Sequence, residues 1–87
     1  MIYLLVPYFF MKKVSIYSTP TCVYCNMAKE YFRKNGIPFT DYNVAVDFEK
    51  RQEMIEKSEQ MGVPVIEIDG DVIVGFDQDR LKDALGL

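Results

Sequence analysis

Two hydrophobic rhythms alternate along this chain. Lys13-Val14-Ser15-Ile16-Tyr17 switches between polar and apolar residues and runs into Ser18-Thr19-Pro20, the pattern of a strand that ends in a loop. From Thr21 the period lengthens. Tyr24, Ala28, Tyr31 and Phe32 recur at helical spacing, with Lys29, Glu30, Arg33 and Lys34 on the other side. Thr21 is placed to cap this helix and Asn35-Gly36 to stop it, since glycine tolerates a left-handed C-terminal position. Residues 37–44 read as a second strand in which Phe39 and Tyr42 are poorly in phase. Asp47 caps a second helix running through Gln60, with Glu49 favouring its positive end and a thin apolar stripe of Phe48, Met54, Ile55, Ser58 and Met61. In residues 62–75 two β-branched runs flank Asp69-Gly70, a tight-turn dipeptide, so this stretch is a β-hairpin. Asp77 caps a last short helix that points Leu81, Ala84 and Leu85 one way and ends at Gly86. The predicted order is β-α-β-α-β-β-α, an α/β domain.

Composition narrows what such a domain does. Eighty-seven residues fill one core. At 49% hydrophobic and 14% aromatic they bury enough apolar surface to stay folded without staples. A net charge of −3 argues against a nucleic-acid partner, which needs a basic face. Histidine is absent, so a Cys-His hydrolase lacks its base, and two thiols with no imidazole make a poor zinc site; no metal ligands are assigned. No phosphate-cradling glycine motif occurs.

Residues 1–11 stand apart from residues 12–87. They are uncharged and apolar, with Pro7 interrupting the run, and Lys12 and Lys13 follow it instead of preceding it. A membrane span needs about 20 such residues, and a secretory signal wants its positive charge first. Three readings remain: a misplaced start with Met11 as the natural one, an extension that packs on the domain or on a second copy, and a membrane-surface anchor. A monomer is expected, with dimerisation through the extension as the alternative. In the absence of a signal peptide the expected compartment is the reducing cytoplasm.

The candidate chemistry lies where the strand pattern gives way to the helix pattern. Cys22 and Cys25, both cysteines of the protein, are two residues apart at a helix start, where a C-x-x-C in a βαβ pattern is a redox signature. The helix start offers Cys22 a partial positive charge and unpaired N–H groups of Tyr24 and Cys25. If its pKa falls from about 8.5 to roughly 5.5, the thiolate fraction at neutral pH rises about thirtyfold. Intrinsic nucleophilicity falls by nearly as much over three units. The gain is in departure: a low-pKa Cys22 leaves readily when a thiolate attacks the sulfur bonded to it. Cys22 is therefore expected to attack and Cys25, one turn deeper, to resolve.

Three separated motifs together resemble the glutaredoxins, small disulfide reductases of the thioredoxin fold: residues 17–25 around the two cysteines, Gly62-Val63-Pro64-Val65-Ile66, and Val74-Gly75-Phe76-Asp77. The resemblance covers residues 12–87. It implies a thioredoxin fold, a four-stranded mixed sheet flanked by three helices with the first two strands parallel. It also implies a cis-proline at Val63-Pro64 facing the sulfurs, where Val63's backbone pairs with an extended substrate; the plainer alternative is that Pro64 merely starts a strand. The implied groove is Tyr24, Val63, Pro64, Gly75, Phe76 and Asp77, with Tyr24 and Phe76 readable also as core aromatics. No tightly bound cofactor is implied beyond the redox-active Cys22-Cys25 disulfide, and glutathione enters as a co-substrate. The implied partners are disulfide-containing proteins, with glutathione or thioredoxin reductase as electron donor.

Departures from the family pattern bear on the donor. Val23 replaces the usual proline between the cysteines, as in relatives that serve ribonucleotide reductase and draw on thioredoxin reductase, whereas Tyr24 is the glutaredoxin choice. Thr19 stands where many relatives have lysine, and Gln78 where many have a second acid. Ile16 occupies the place of the buried acid of thioredoxins, which favours a base-free site. An alternative reading is an iron–sulfur carrier, in which two chains and two glutathiones hold one cluster through their Cys22 thiolates.

Overall fold

The computed structural model describes residues 12–87, and the readings of residues 1–11 lie outside it. The elements are β1 (Val14–Ser18), α1 (Val23–Lys34), β2 (Thr40–Asn43), α2 (Phe48–Ser58), β3 (Val65–Ile68), β4 (Asp71–Val74) and α3 (Gln78–Leu85), in the expected order. One four-stranded sheet runs β2-β1-β3-β4. β1 pairs parallel with β2 and antiparallel with β3, and the hairpin supplies the antiparallel β3–β4 pair. Among the described residues no helix is long and apolar enough to cross a membrane.

β1 is the central strand, and both its faces are covered. Ile16, Ile66 and Ile73 stand opposite one another across three strands and are fully buried, with Val14, Ile68, Ala28, Phe32, Leu81 and Leu85 around them. This is the face under α1 and α3. On the other face Tyr17 and Val65 are paired and pack with Val44 and Met54 of the α2 layer. Each large side chain buried this way contributes about 1.5–3 kcal/mol. The polar–apolar alternation of β1 thus marks two buried faces, not one wet and one dry: Ser15 and Ser18 are buried too.

Local signals set most of the boundaries. Asp47 and Asp77 cap α2 and α3 by accepting from the N–H groups of Lys50 and Arg80. α1 ends in a Schellman turn: Gly36 (φ +65°) donates to the Arg33 carbonyl and Ile37 to the Phe32 carbonyl, while Ile37 packs against the cluster that holds Phe32. Asp69 and Gly70 both have positive φ, the form that a two-residue hairpin turn demands.

Other expectations are corrected. The second strand is shorter than residues 37–44, because Ile37 is held in the Schellman turn. α2 stops at Ser58, with Glu59 left-handed at φ +58°. Its expected apolar stripe shrinks to Met54 and Ile55; Phe48 and Met61 are 72% and 64% exposed, since one lies at the first helical residue and the other beyond the last. Lys29, read as part of the solvated face of α1, keeps only 12% of its side-chain exposure and bridges to Asp41 of β2 at 2.7 Å.

A polar network that extends the i,i+3 and i,i+4 pairs of α2 joins that helix to the sheet. Tyr17's hydroxyl donates to Glu53 at 2.5 Å, and Lys57 spans Glu53 and Glu67 at 3.6 and 2.8 Å. Lys50 reaches Glu53 at 3.3 Å and lies 4.4 Å above the Tyr42 ring. Burial, and then the Glu53 carboxylate, push the Tyr17 hydroxyl up to about 12. The hydrogen bond from Tyr17 in turn holds Glu53 below the usual carboxylate range, helped by Lys50 and Lys57 and opposed by desolvation.

Two predictions follow from these contacts. Because Glu53's folded value is depressed, its stabilising contribution is complete above the unfolded glutamate value and disappears as pH falls through the folded one. Urea unfolding in acid should therefore show a shallower loss of stability for Glu53→Gln than for wild type, and parallel curves would refute the linkage. Glu59→Gly relieves a left-handed glutamate and should raise stability by about 0.5–1 kcal/mol in the same assay.

Candidate active site

The site begins with a cap. Thr21, the expected cap of α1, is not the residue that fills the role. Cys22 is, with extended backbone (φ −83°, ψ 114°) and its Sγ accepting from the Cys25 N–H at 3.1 Å. The substitution is physically simple. An N-cap needs an acceptor aimed at the third helical N–H, and sulfur at position 22 provides it just where the chain leaves the loop. The helix start that Thr21 would have served is thereby turned onto the sulfur itself, with the dipole's positive end behind it.

The two cysteines differ sharply in environment. Cys25 is fully buried on the inner face of α1, in line with Ala28 and Phe32, whereas Cys22 is half-buried at the surface. They are joined as a disulfide with Cα atoms 5.2 Å apart. Cys22 Sγ lies 3.9 Å from the carbonyl oxygen of Val63, where the chain passes through a cis bond into Pro64. Among the described residues, neither backbone group of Val63 is paired with another backbone group. Pro64 is buried, and its carbonyl accepts from Gly75 at 2.8 Å, which ties the second motif to the third. Gly75 itself sits at φ +85°, a conformation open to glycine.

The remaining groove candidates fall into two groups. Tyr24 is 62% exposed beside Val23 at 67%, so it forms a rim and not a core aromatic. Phe76 is half-buried and packs edge-on against Tyr31, with ring centroids 6.0 Å apart; it belongs as much to the core as to the groove. Asp77 spends its Oδ1 on the α3 cap. Ile16 is fully buried among aliphatic side chains, so β1 offers Cys25 no acid at that position.

Beneath the loop that carries Cys22, Ser18 donates to Asp41 at 2.6 Å and Asp41 takes Lys29 on its other oxygen. This set fastens α1, one turn beyond Cys25, to the end of β1 and to β2. Nothing in the periodicity pointed to it. Three polar residues far apart in sequence meet only once β1 and β2 are in register.

The glutaredoxin family model matches residues 14–73. The chain belongs to the glutaredoxin family. This glutaredoxin is 54% identical over 65 residues to an uncharacterised glutaredoxin-like 8.6 kDa protein in the rubredoxin operon of Clostridium pasteurianum, covering 75% of this chain and 87% of that one. It is 38% identical over 76 residues to glutaredoxin 3 of Escherichia coli, covering 87% and 92%. The crystal structure of a glutaredoxin from Archaeoglobus fulgidus shares its fold with a TM-score of 0.78 at 21% identity, over 90% of this chain and 91% of that one. The fold and the cysteine pair together make it a glutaredoxin-like redox protein.

If Cys22 Sγ caps α1, side chains at position 22 should rank by their acceptor. In fully reduced protein, Cys22→Ser keeps an acceptor for the Cys25 N–H and Cys22→Ala removes it. The alanine variant should be less stable than the serine variant by about 1 kcal/mol, or roughly 4–8 °C in Tm. Equal melting temperatures would show that the sulfur is not the cap.

Proposed function

We propose that this glutaredoxin is a dithiol thiol–disulfide oxidoreductase in which Cys22 attacks the substrate disulfide and Cys25 resolves the mixed disulfide. The observation that carries the reading is the asymmetry of the pair: Cys22 is accessible and accepts a helix N–H, while Cys25 is fully enclosed one turn behind it.

The substrate-reducing half of the cycle balances with these two residues alone. The Cys22 thiolate bonds to one substrate sulfur, the substrate S–S bond breaks, and the departing sulfur leaves as a thiolate that takes a proton from water. Cys25, on losing its proton, bonds to Cys22 Sγ, and the second substrate sulfur departs with the electron pair of the mixed disulfide. Two electrons have passed to the substrate, and the protein holds its Cys22-Cys25 disulfide. The Cys25 N–H assists the first step, because it stabilises the attacking anionic sulfur at position 22, and it would stabilise that sulfur again whenever a reductant thiolate attacks the partner sulfur of a mixed disulfide and expels Cys22. A thiol or dithiol reductant then restores the pair.

Substrate recognition is assigned to Tyr24, Val63, Pro64, Gly75, Phe76 and Asp77. The unpaired backbone of Val63 supports strand-like docking of an extended segment across the sulfurs, and exposed Val23 and Tyr24 give it an apolar rim. Disulfide-bearing protein segments and glutathione mixed disulfides both fit this description, with glutathione or thioredoxin reductase as the source of electrons.

Turnover measured with NADPH, once with glutathione and its reductase and once with thioredoxin reductase, separates the two donors. Cys22→Ser should abolish turnover with either. Cys25→Ser should accumulate a mixed disulfide with a protein substrate, visible by mass spectrometry. Undiminished dithiol turnover in either variant would overturn the assigned roles.

A further inference from the structure

The loop between α2 and β3 carries Val63, yet it has no regular structure to hold it. Its backbone polar groups need partners from somewhere, and Gln60 supplies them. The Gln60 side-chain oxygen accepts from the Gly62 N–H at 2.6 Å, and its Nε2 donates to the Gly62 carbonyl at 3.0 Å. The second hydrogen of Nε2 goes to Ser58 Oγ at 3.1 Å, which can itself donate to the Met54 carbonyl at 2.7 Å. The orientation of the amide is fixed by chemistry, because an N–H can only give and a carbonyl can only receive. One side chain therefore engages both backbone groups of Gly62, as a neighbouring strand would, and is anchored in turn to the last turn of α2.

Gly62 is fitted to this arrangement. A Cβ there would come within 2.9 Å of the Gln60 side-chain oxygen, the far end of a flexible side chain, so alanine would displace the amide before it displaced the backbone. On the other side of Val63, Pro64 is held through the Gly75 bond and the β1–β3 ladder. Val63 is suspended between two fixed points, with its carbonyl oxygen 3.9 Å from Cys22 Sγ.

We infer that Gln60 is a positioning residue for substrate docking: by clamping Gly62 it holds the unpaired backbone of Val63 in line with Cys22. The inference rests on the reading of Val63 as the docking wall. It predicts a division of effects, because Gln60 touches neither sulfur. Loss of the clamp should weaken docking of a disulfide while leaving the Cys22 thiolate as it was.

The experiment uses pre-reduced full-length protein mixed with an excess of a disulfide-linked peptide pair, in single turnover over a range of concentrations. Gln60→Ala should raise the half-saturating concentration about tenfold with the limiting rate within about threefold. The rate and pH dependence of Cys22 alkylation by iodoacetamide should match wild type. Amide exchange at Gly62 should accelerate, as it would for any opened loop. Gly62→Ala should reproduce the docking defect in wild type and add little in the Gln60→Ala background, since the clamp it would disturb is already gone.

An unchanged half-saturating concentration, or additive effects of the two substitutions, would overturn the inference. So would a fall in limiting rate and alkylation together, which would place Gln60 in the sulfur chemistry. Failure of the underlying reading looks different: the wild-type protein would itself not reduce the peptide, while the exchange at Gly62 would still answer to Gln60.

Discussion

The pairing of Tyr17 with Val65 is the contact on which the rest of the site depends. It sets the end of β1, whose last residue Ser18 lies four residues before Cys22, beside the start of β3, directly after Pro64. Two segments more than forty residues apart in sequence thereby meet at one end of the sheet. The same register stacks Ile16 on Ile66 and Ile73 on one face and sends Tyr17 and Val65 to the other. A slip of one residue would exchange the two faces, carrying Ile66 and Ile68 to the α2 side and Glu67 among the aliphatic side chains under α1 and α3. The hydrophobic core and the meeting of sulfur and wall therefore both depend on a single choice of register.

Upon that frame, one residue does two jobs. The helices α2 and α3 are capped by carboxylates, Asp47 and Asp77. α1 is capped by a sulfur, and in the proposed cycle that sulfur gains and loses negative charge. A cap that stabilises an anion favours every state in which Cys22 carries negative charge. In thiol–disulfide exchange those states include the attacking thiolate and the departing one. In the proposed cycle the helix start therefore prepares the attack by Cys22, and the enclosed Cys25 stands behind it to displace the substrate sulfur from the mixed disulfide.

How much of this was legible in the sequence depended on the range of the interaction. Asp69-Gly70, Asp47, Asp77 and Gly36 announce turns and helix ends through the chemistry of one or two residues, and the structure places them in those roles. Thr21 misled because hydroxyl oxygen is the commoner cap, although sulfur one position later fills the same geometry. Phe48 and Met61 misled because periodicity carries a stripe beyond the ends of its helix. The Tyr17–Glu53–Lys57 network joins an i,i+4 pair of α2 to β1, and the Ser18–Asp41–Lys29 set joins β1, β2 and α1; these meetings between elements carry no local signature, because they need the elements in place first. Cys22, Cys25 and the Val63-Pro64 and Gly75-Phe76-Asp77 stretches were legible as motifs, but only the fold shows that the wall's carbonyl stands against the sulfur.

A wall that accepts a strand faces opposed demands. It has to present unpaired backbone groups, and unpaired backbone is what leaves a segment loose and prone to pair with the wrong chain. Satisfying Val63 internally would close the groove; leaving its neighbours unsatisfied as well would let it swing away from Cys22. The chain places the rigidity on either side instead. Gly62 is paired by the Gln60 side chain upstream, and Pro64 by Gly75 downstream, while Val63 alone keeps its groups for a partner. A side-chain clamp suits the upstream position better than a fifth strand would, because it satisfies one residue without extending the ladder past it. Beside Cys22 this leaves a single unpaired residue, which in the proposed function is the length needed to align a substrate disulfide over that sulfur.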